Sequence, residues 1–174
     1  MIPLCLQLLV TKRFRVVRKS WTGGDGRRHQ REIVQHPGAV TILPMVDEHH
    51  VCLIRNARVA VGKVLIELPA GTLEAGEDPA LAARRELAEE TGYLAESLAP
   101  LRQFYLSPGI LDERMHVFVA TGLTPGPAAL EPGEDIEPFV ISWQEAMAMV
   151  HDGRIEDAKT LVALLDYERL RGAT

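Results

Sequence analysis

Residues 71–93 read GTLEAGEDPALAARRELAEETGY, a glycine-bearing loop running into a strongly patterned segment. Asp78 is a good helix N-cap, because its carboxylate accepts from backbone N–H groups that have no partner inside the helix. Pro79 suits the first helical position, where its missing N–H costs nothing. Gly92 fits the left-handed position that commonly ends a helix. The spacing therefore predicts a helix from Pro79 to Thr91. At 3.6 residues per turn, Glu86 and Glu90 lie about 40° apart, with Glu89 about 60° to the other side of Glu86. Three carboxylates share one face, while Ala80, Ala83, Leu87 and Ala88 occupy another arc and are expected to pack on a sheet. Like charges one turn apart destabilise an isolated helix by roughly a few tenths of a kcal/mol. A divalent cation would offset that cost, since Mg²⁺ takes oxygen ligands and is commonly held by one or two carboxylates plus substrate phosphates. On the glutamates alone, a solvated acidic face is the simpler reading.

Outward from this helix the period changes to that of strands. Val40 to Val46, Val51 to Ile54 and Val64 to Leu68 are β-branched and leucine-rich runs, separated by Asp47-Glu48-His49-His50 and by Gly62. After the helix, strand-like segments at Arg102–Leu106, Met115–Ala120 and Pro138–Ser142 alternate with loops at Ser107–Ile110 and Thr124–Gly133. Two further helices are expected at Trp143–His151 and near Asp157–Arg171. Strands on both sides of a central helix predict an α/β/α sandwich around a mixed sheet. Upstream, Phe14–Trp21 and Arg31–His36 flank the glycine-rich turn at 22–26 and predict an N-terminal β-hairpin. The expected division is a β-strand annex over 1–36, a candidate dimer arm, and a main domain over 37–174.

The bulk properties exclude several function classes. A chain of 174 residues, 47% hydrophobic and 25% charged, is ordinary globular material. A net charge of -5 provides no general attraction to nucleic acid or an anionic membrane. A polyanionic substrate therefore needs locally placed cations, and eight of the 19 Lys and Arg residues fall between Lys12 and Arg31. That segment reads first as a solvated hairpin face and second as a phosphate- or subunit-contacting arm. Aromatic residues make up only 5% and no stacking motif accompanies the charges, which argues against nucleic-acid binding. Cys5 and Cys52 are too few and too isolated for a disulfide framework or a cysteine metal site, so a reducing, cytoplasmic setting is expected. His49-His50 lacks further ligands at a useful spacing and reads as a solvated turn. No secretory leader and no membrane span are expected.

With the loop included, residues 71–93 resemble the Nudix box, Gly-x5-Glu-x7-Arg-Glu-U-x-Glu-Glu-x-Gly-U with U a bulky apolar residue. Gly71, Glu77, Arg85, Glu86, Leu87, Glu89, Glu90, Gly92 and Tyr93 fill its positions in order, Tyr93 being aromatic where an aliphatic residue is commoner. The resemblance implies that fold and a metal-dependent hydrolase of pyrophosphate bonds. It implies Glu86 and Glu90 as principal Mg²⁺ ligands (Mn²⁺ an alternative), with Glu89 assisting and the Ala70 carbonyl available to complete the shell. Arg85 and Glu77 are implied as a structural pair holding loop to helix.

The flanks are similar to the ADP-ribose pyrophosphatase branch: Glu67-Leu68-Pro69-Ala70-Gly71 before the box, Ser107-Pro108-Gly109 with Pro108 15 residues after it, then Asp112-Glu113-Arg114 and the stretch Gly153 to Thr160. Arg55 and Arg58 match a pattern usually written Arg-Gln-x-Arg, with Asn56 in place of the glutamine. Arg58 is the first candidate for a phosphate or ribose contact, with a surface arginine as the alternative. The base that activates water is implied in a loop outside the box, at Glu134 or else Glu113. ADP-ribose cleaved to AMP and ribose 5-phosphate is the expected reaction. GDP-mannose, a dinucleotide or an oxidised nucleotide are rival substrates. A non-catalytic ADP-ribose sensor is the rival class, disfavoured because the full carboxylate cluster is present. The branch implies a homodimer.

Overall fold

The computed structural model describes residues 5–127, 130 and 135–172. Ten strands and three helices follow in the order β1 (Cys5–Val10), β2 (Arg15–Thr22), β3 (Arg28–Gln35), β4 (Ala39–Pro44), β5 (His50–Arg58), β6 (Lys63–Glu67), β7 (Ala70–Thr72), α1 (Pro79–Thr91), β8 (Tyr93–Tyr105), β9 (Arg114–Pro125), β10 (Ile136–Ser142), α2 (Trp143–His151) and α3 (Ala158–Arg171). They form three sheets, ordered β1-β2-β3, β10-β5-β6 and β7-β4-β9-β8. The last is mixed: β4 runs parallel to β9 and antiparallel to β7. This is the α/β/α arrangement expected from alternating strand and helix patterns.

Alternation along β4 and β9 builds the two cores. Val40, Ile42, Phe118 and Ala120 face α1 and bury Ala82, Ala83 and Leu87 of the helix. Leu43, Met115 and Val117 face the other way, onto α2 and α3 through Trp143, Ala146, Ala163 and Leu164. Residues of period two thus feed both layers from the same strands, and burying each such side chain contributes about 1.5–3 kcal/mol. Ala82, rather than Ala88, completes the helix face that packs on the sheet.

Four elements differ from the sequence expectation. β1 was not legible as a strand, because all six of its residues are exposed and no alternation marks it. β7, three residues long, exists only through its pairing with β4. β8 begins at Tyr93, nine residues before the expected strand at Arg102, since its first residues, YLAES, are held by the ladder to β9. That same ladder carries β9 through to Pro125, into what reads as loop.

Candidate active site

The site is built on α1 and the chain that crosses it at β7. Asp78 caps the helix by accepting from Ala80 N at 2.8 Å and Leu81 N at 3.3 Å, and Gly92 closes it at φ 70°. These local signals fix where the helix begins and ends, and the packing of Ala82, Ala83 and Leu87 on the sheet fixes its rotation. Glu86 and Glu90 thereby turn inward and are buried, at 8% and 3% exposure, against the backbone of β7. Glu90 Oε2 accepts from Ala70 N at 2.9 Å, so Ala70 meets this carboxylate through its N–H. Gly71 passes so close to Glu86 that a Cβ there would lie 1.9 Å from its carboxylate. Any side chain at 71 would have to displace that carboxylate or the strand.

Arg85 ties the carboxylates together. Its Nε and Nη2 each donate to Glu77 at 3.2 Å, and its Nη1 donates to Glu86 at 2.8 Å and to Glu89 at 3.0 Å. The hydrogen bonds from Arg85 hold Glu77 below the ordinary carboxylate value, and Glu77, with Glu86 behind it, raises the guanidinium. One cation thus bridges the loop and two of the three glutamates.

A cavity of about 1060 Å³ opens over Glu86, Glu90 and Arg85. Its further walls come from Asn56 and Arg58 of β5, from His36, Asp112 and Asp135, from the β1–β2 turn with Lys12 and Arg13, and from Arg15 at the start of β2. Part of the basic segment therefore faces the carboxylates across one opening. Arg58 lines this cavity while its Nε and Nη2 donate to the two oxygens of Glu67 at 2.7 Å each. Burial would raise Glu67, but Arg58 and Lys159 hold it below its ordinary value.

Other predicted residues lie elsewhere. Arg55 donates to Glu137 at 3.1 Å and stacks over the Phe139 ring at 4.2 Å, outside the cavity wall. Pro108 is exposed in the turn after β8 and does not line the cavity. Glu113 stands 3.6 Å from His36 Nδ1, also off the wall. Glu134 lies outside the described residues. His50 pairs with Asp47 at the exposed turn. Glu67 escaped the sequence reading as a functional group; its signal was a carboxylate inside the apolar run Val64–Leu68, which cannot be buried without a cationic partner.

The donor set fits a hard divalent cation: carboxylates one helical turn apart, buried on one side and open to a cavity on the other. Among the described residues no three His, Cys, Asp or Glu side chains already converge as a ligand cage. A cation bound at Glu86 and Glu90 would accordingly complete its shell with water and substrate oxygens.

Residues 35–164 match the NUDIX domain, and the chain belongs to that family. It is 40% identical over 151 residues to the ADP-ribose pyrophosphatase of Bacillus subtilis, covering 86% of this chain and 81% of that protein. It is 36% identical over 160 residues to the GDP-mannose pyrophosphatase of Cronobacter sakazakii, covering 86% and 82%. A crystal structure of an ADP compounds hydrolase superposes with a TM-score of 0.82 at 26% identity, covering 99% of this chain and 96% of that one. The chain is a Nudix pyrophosphatase, an enzyme of a family that works with a divalent metal ion.

Proposed function

We propose that the protein hydrolyses the pyrophosphate bond of a nucleoside diphosphate sugar, foremost ADP-ribose, to AMP and ribose 5-phosphate, with Mg²⁺ (or Mn²⁺) as the cation. The observation that carries this reading is a single cavity with Glu86 and Glu90 on one wall and Arg58, Lys12 and Arg13 on others. Carboxylates suit a cation, and arginine and lysine suit the diphosphate it would bridge. Bound there, Mg²⁺ would polarise the phosphates and lower the pKa of a water. Arg85 offsets the charge of Glu86 and Glu89, and Gly71 leaves room for Glu86. Glu134, which precedes the cavity-lining Asp135 in the sequence, is the proposed proton acceptor; the approach of Glu113 to His36 favours Glu134 over Glu113. Glu89, engaged by Arg85, assists the metal ligands.

ADP-ribose takes first place because the B. subtilis relative carries that activity in its name at the higher identity; GDP-mannose is second through the C. sakazakii relative. The three-stranded sheet β1–β3 is the proposed annex and dimer arm, supported by the exposed edge strand with Leu6, Leu8 and Leu9. The two free cysteines, one of them buried, suit a reducing, cytoplasmic setting.

The test is product analysis with Mg²⁺ against ADP-ribose, GDP-mannose, NADH, diadenosine polyphosphates and 8-oxo-dGTP, beside a Glu90→Gln control, with the mass of the preparation read by light scattering. AMP released preferentially from ADP-ribose, and lost by about 10²–10³-fold in the control, is expected. Preference for another compound discards the substrate. Binding of ADP-ribose without turnover of any compound supports a sensor instead, and a monomeric mass removes the dimer.

A further inference from the structure

Behind Arg58, which is half-exposed on the cavity wall, lies a charged network of buried groups that the chemistry above leaves unused. Glu67, 1% exposed in its side chain, receives both arms of the Arg58 fork and also the ammonium of Lys159. Lys159, itself 9% exposed, donates in addition to Asp157 Oδ1 at 2.9 Å. Asp157 caps α3, accepting from Thr160 N at 3.0 Å and Thr160 Oγ1 at 2.6 Å, and Thr160 Oγ1 accepts from Leu68 N at 2.9 Å. The start of α3 therefore grips both the carboxylate at 67 and the backbone at 68, two residues before the N–H that Glu90 accepts.

Buried ions are costly unless paired, and breaking one pair leaves an uncompensated charge behind. Here two cations and two carboxylates balance, and of the four, Arg58 alone lines the cavity. We propose that Lys159 is a positioning residue for substrate binding, acting through Glu67 on Arg58; this rests on reading Arg58 as a contact for the diphosphate. Lys159 shares Glu67 Oε2 with Arg58 Nη2, and so holds the carboxylate on which the arginine fork lies. It also cancels a negative charge beside a site for a polyanion. Without Lys159, Glu67 and Asp157 outnumber Arg58, the carboxylate is held from one side only, and the fork is free to swing with it.

The experiment compares Lys159→Met, Lys159→Arg, Arg58→Ala and the Arg58→Ala, Lys159→Met double variant. It reads KM and kcat for ADP-ribose, and separately the binding of the non-cleavable α,β-methylene-ADP by calorimetry. Lys159→Met is expected to raise KM and weaken analogue binding by roughly tenfold, with kcat within about twofold, since misplacing a binding group costs affinity before chemistry. Lys159→Arg restores most of the loss. In the Arg58→Ala background, Lys159→Met adds nothing further, as residues acting through one another are not additive. Should the methionine variant fail to fold, Lys159→Gln, which keeps a donor but no charge, takes its place with the same expectation. Unchanged affinity in the Lys159 variant, or a loss that persists undiminished without Arg58, overturns the proposal. A wild-type protein that binds the analogue but cleaves nothing refutes the proposed function while the binding comparison still judges Lys159; one that does neither refutes both.

Discussion

The α1 region and the N-terminal sheet meet across the same cavity but are built in opposite ways. In α1 and the loop before it, every glutamate of the motif turns toward a partner: Glu77, Glu86 and Glu89 toward Arg85, and Glu90 toward Ala70 N–H. In the sheet, β1 exposes all its side chains, the apolar Leu6, Leu8, Leu9 and Val10 among them. The helix owes its geometry to contacts within a few turns and to the strand beneath it. The β1–β2 turn reaches the cavity only because β2 and β3 carry it there. Chemistry that depends on carboxylates held near one another belongs on the first kind of element; recognition of a substrate can be delegated to the second.

The largest effect should come from disturbing the close approach within the box. Gly71→Ala puts a Cβ where the Glu86 carboxylate lies, so either the strand or the glutamate must move. Loss of about 10²-fold in kcat is expected, the scale of an ångström-sized misplacement, with a modest change in melting temperature. An active Gly71→Ala enzyme would show that the box tolerates rearrangement as easily as the annex.

Substitutions in the β1–β2 turn test the other side. Lys12→Ala with Arg13→Ala removes two cations from the cavity wall, and KM should rise by roughly tenfold while kcat stays close to wild type. The difference should shrink at high salt, because these groups are open to solvent. If instead kcat falls and KM holds, the turn belongs to the catalytic machinery and the contrast between the regions collapses.

The smallest effect is in acid stability. Glu77 is held below its ordinary value of 4.5, chiefly by hydrogen bonds from Arg85. A depressed carboxylate stabilises the fold above its unfolded value and loses that contribution as pH falls through the folded one. Glu67 adds to the same trend: burial opposes it, but Arg58 and Lys159 prevail. Melting temperature should therefore drop as pH falls below 4.5, and Glu77→Gln should flatten that drop. Glu32 on the hairpin is also lowered, by its bond from Arg18, but its exposed pair is screened by water and Glu32→Gln should leave the profile nearly unchanged. Equal flattening by the two variants would place both regions on the same footing.

Much of the fold was legible because its signals are local. Capping by Asp78, Pro79 and Gly92, the period of 3.6 between them, and period-two runs at β4, β5 and β9 depend on residues a few places apart. They sufficed for α1, the sandwich, and the shared face of Glu86, Glu89 and Glu90. β1, β7 and the first half of β8 were hidden, since their strand character comes from a neighbour's ladder and not from their own pattern.

The sequence by itself determined the helix, its carboxylate face and the family motif, all consequences of short-range geometry and spacing. Only the tertiary structure decided which cations face that cluster. Lys159 and Glu67 are 92 residues apart, and they meet where the start of α3 comes to the end of β6. Lys12 and Arg13 come to the cavity that Glu86 and Glu90 line by the fold of a hairpin, while Arg55, three residues from Arg58 on the same strand, turns to Glu137 instead. Spacing along a chain specifies which side chains share a face; what stands opposite that face follows from how the layers close over the core.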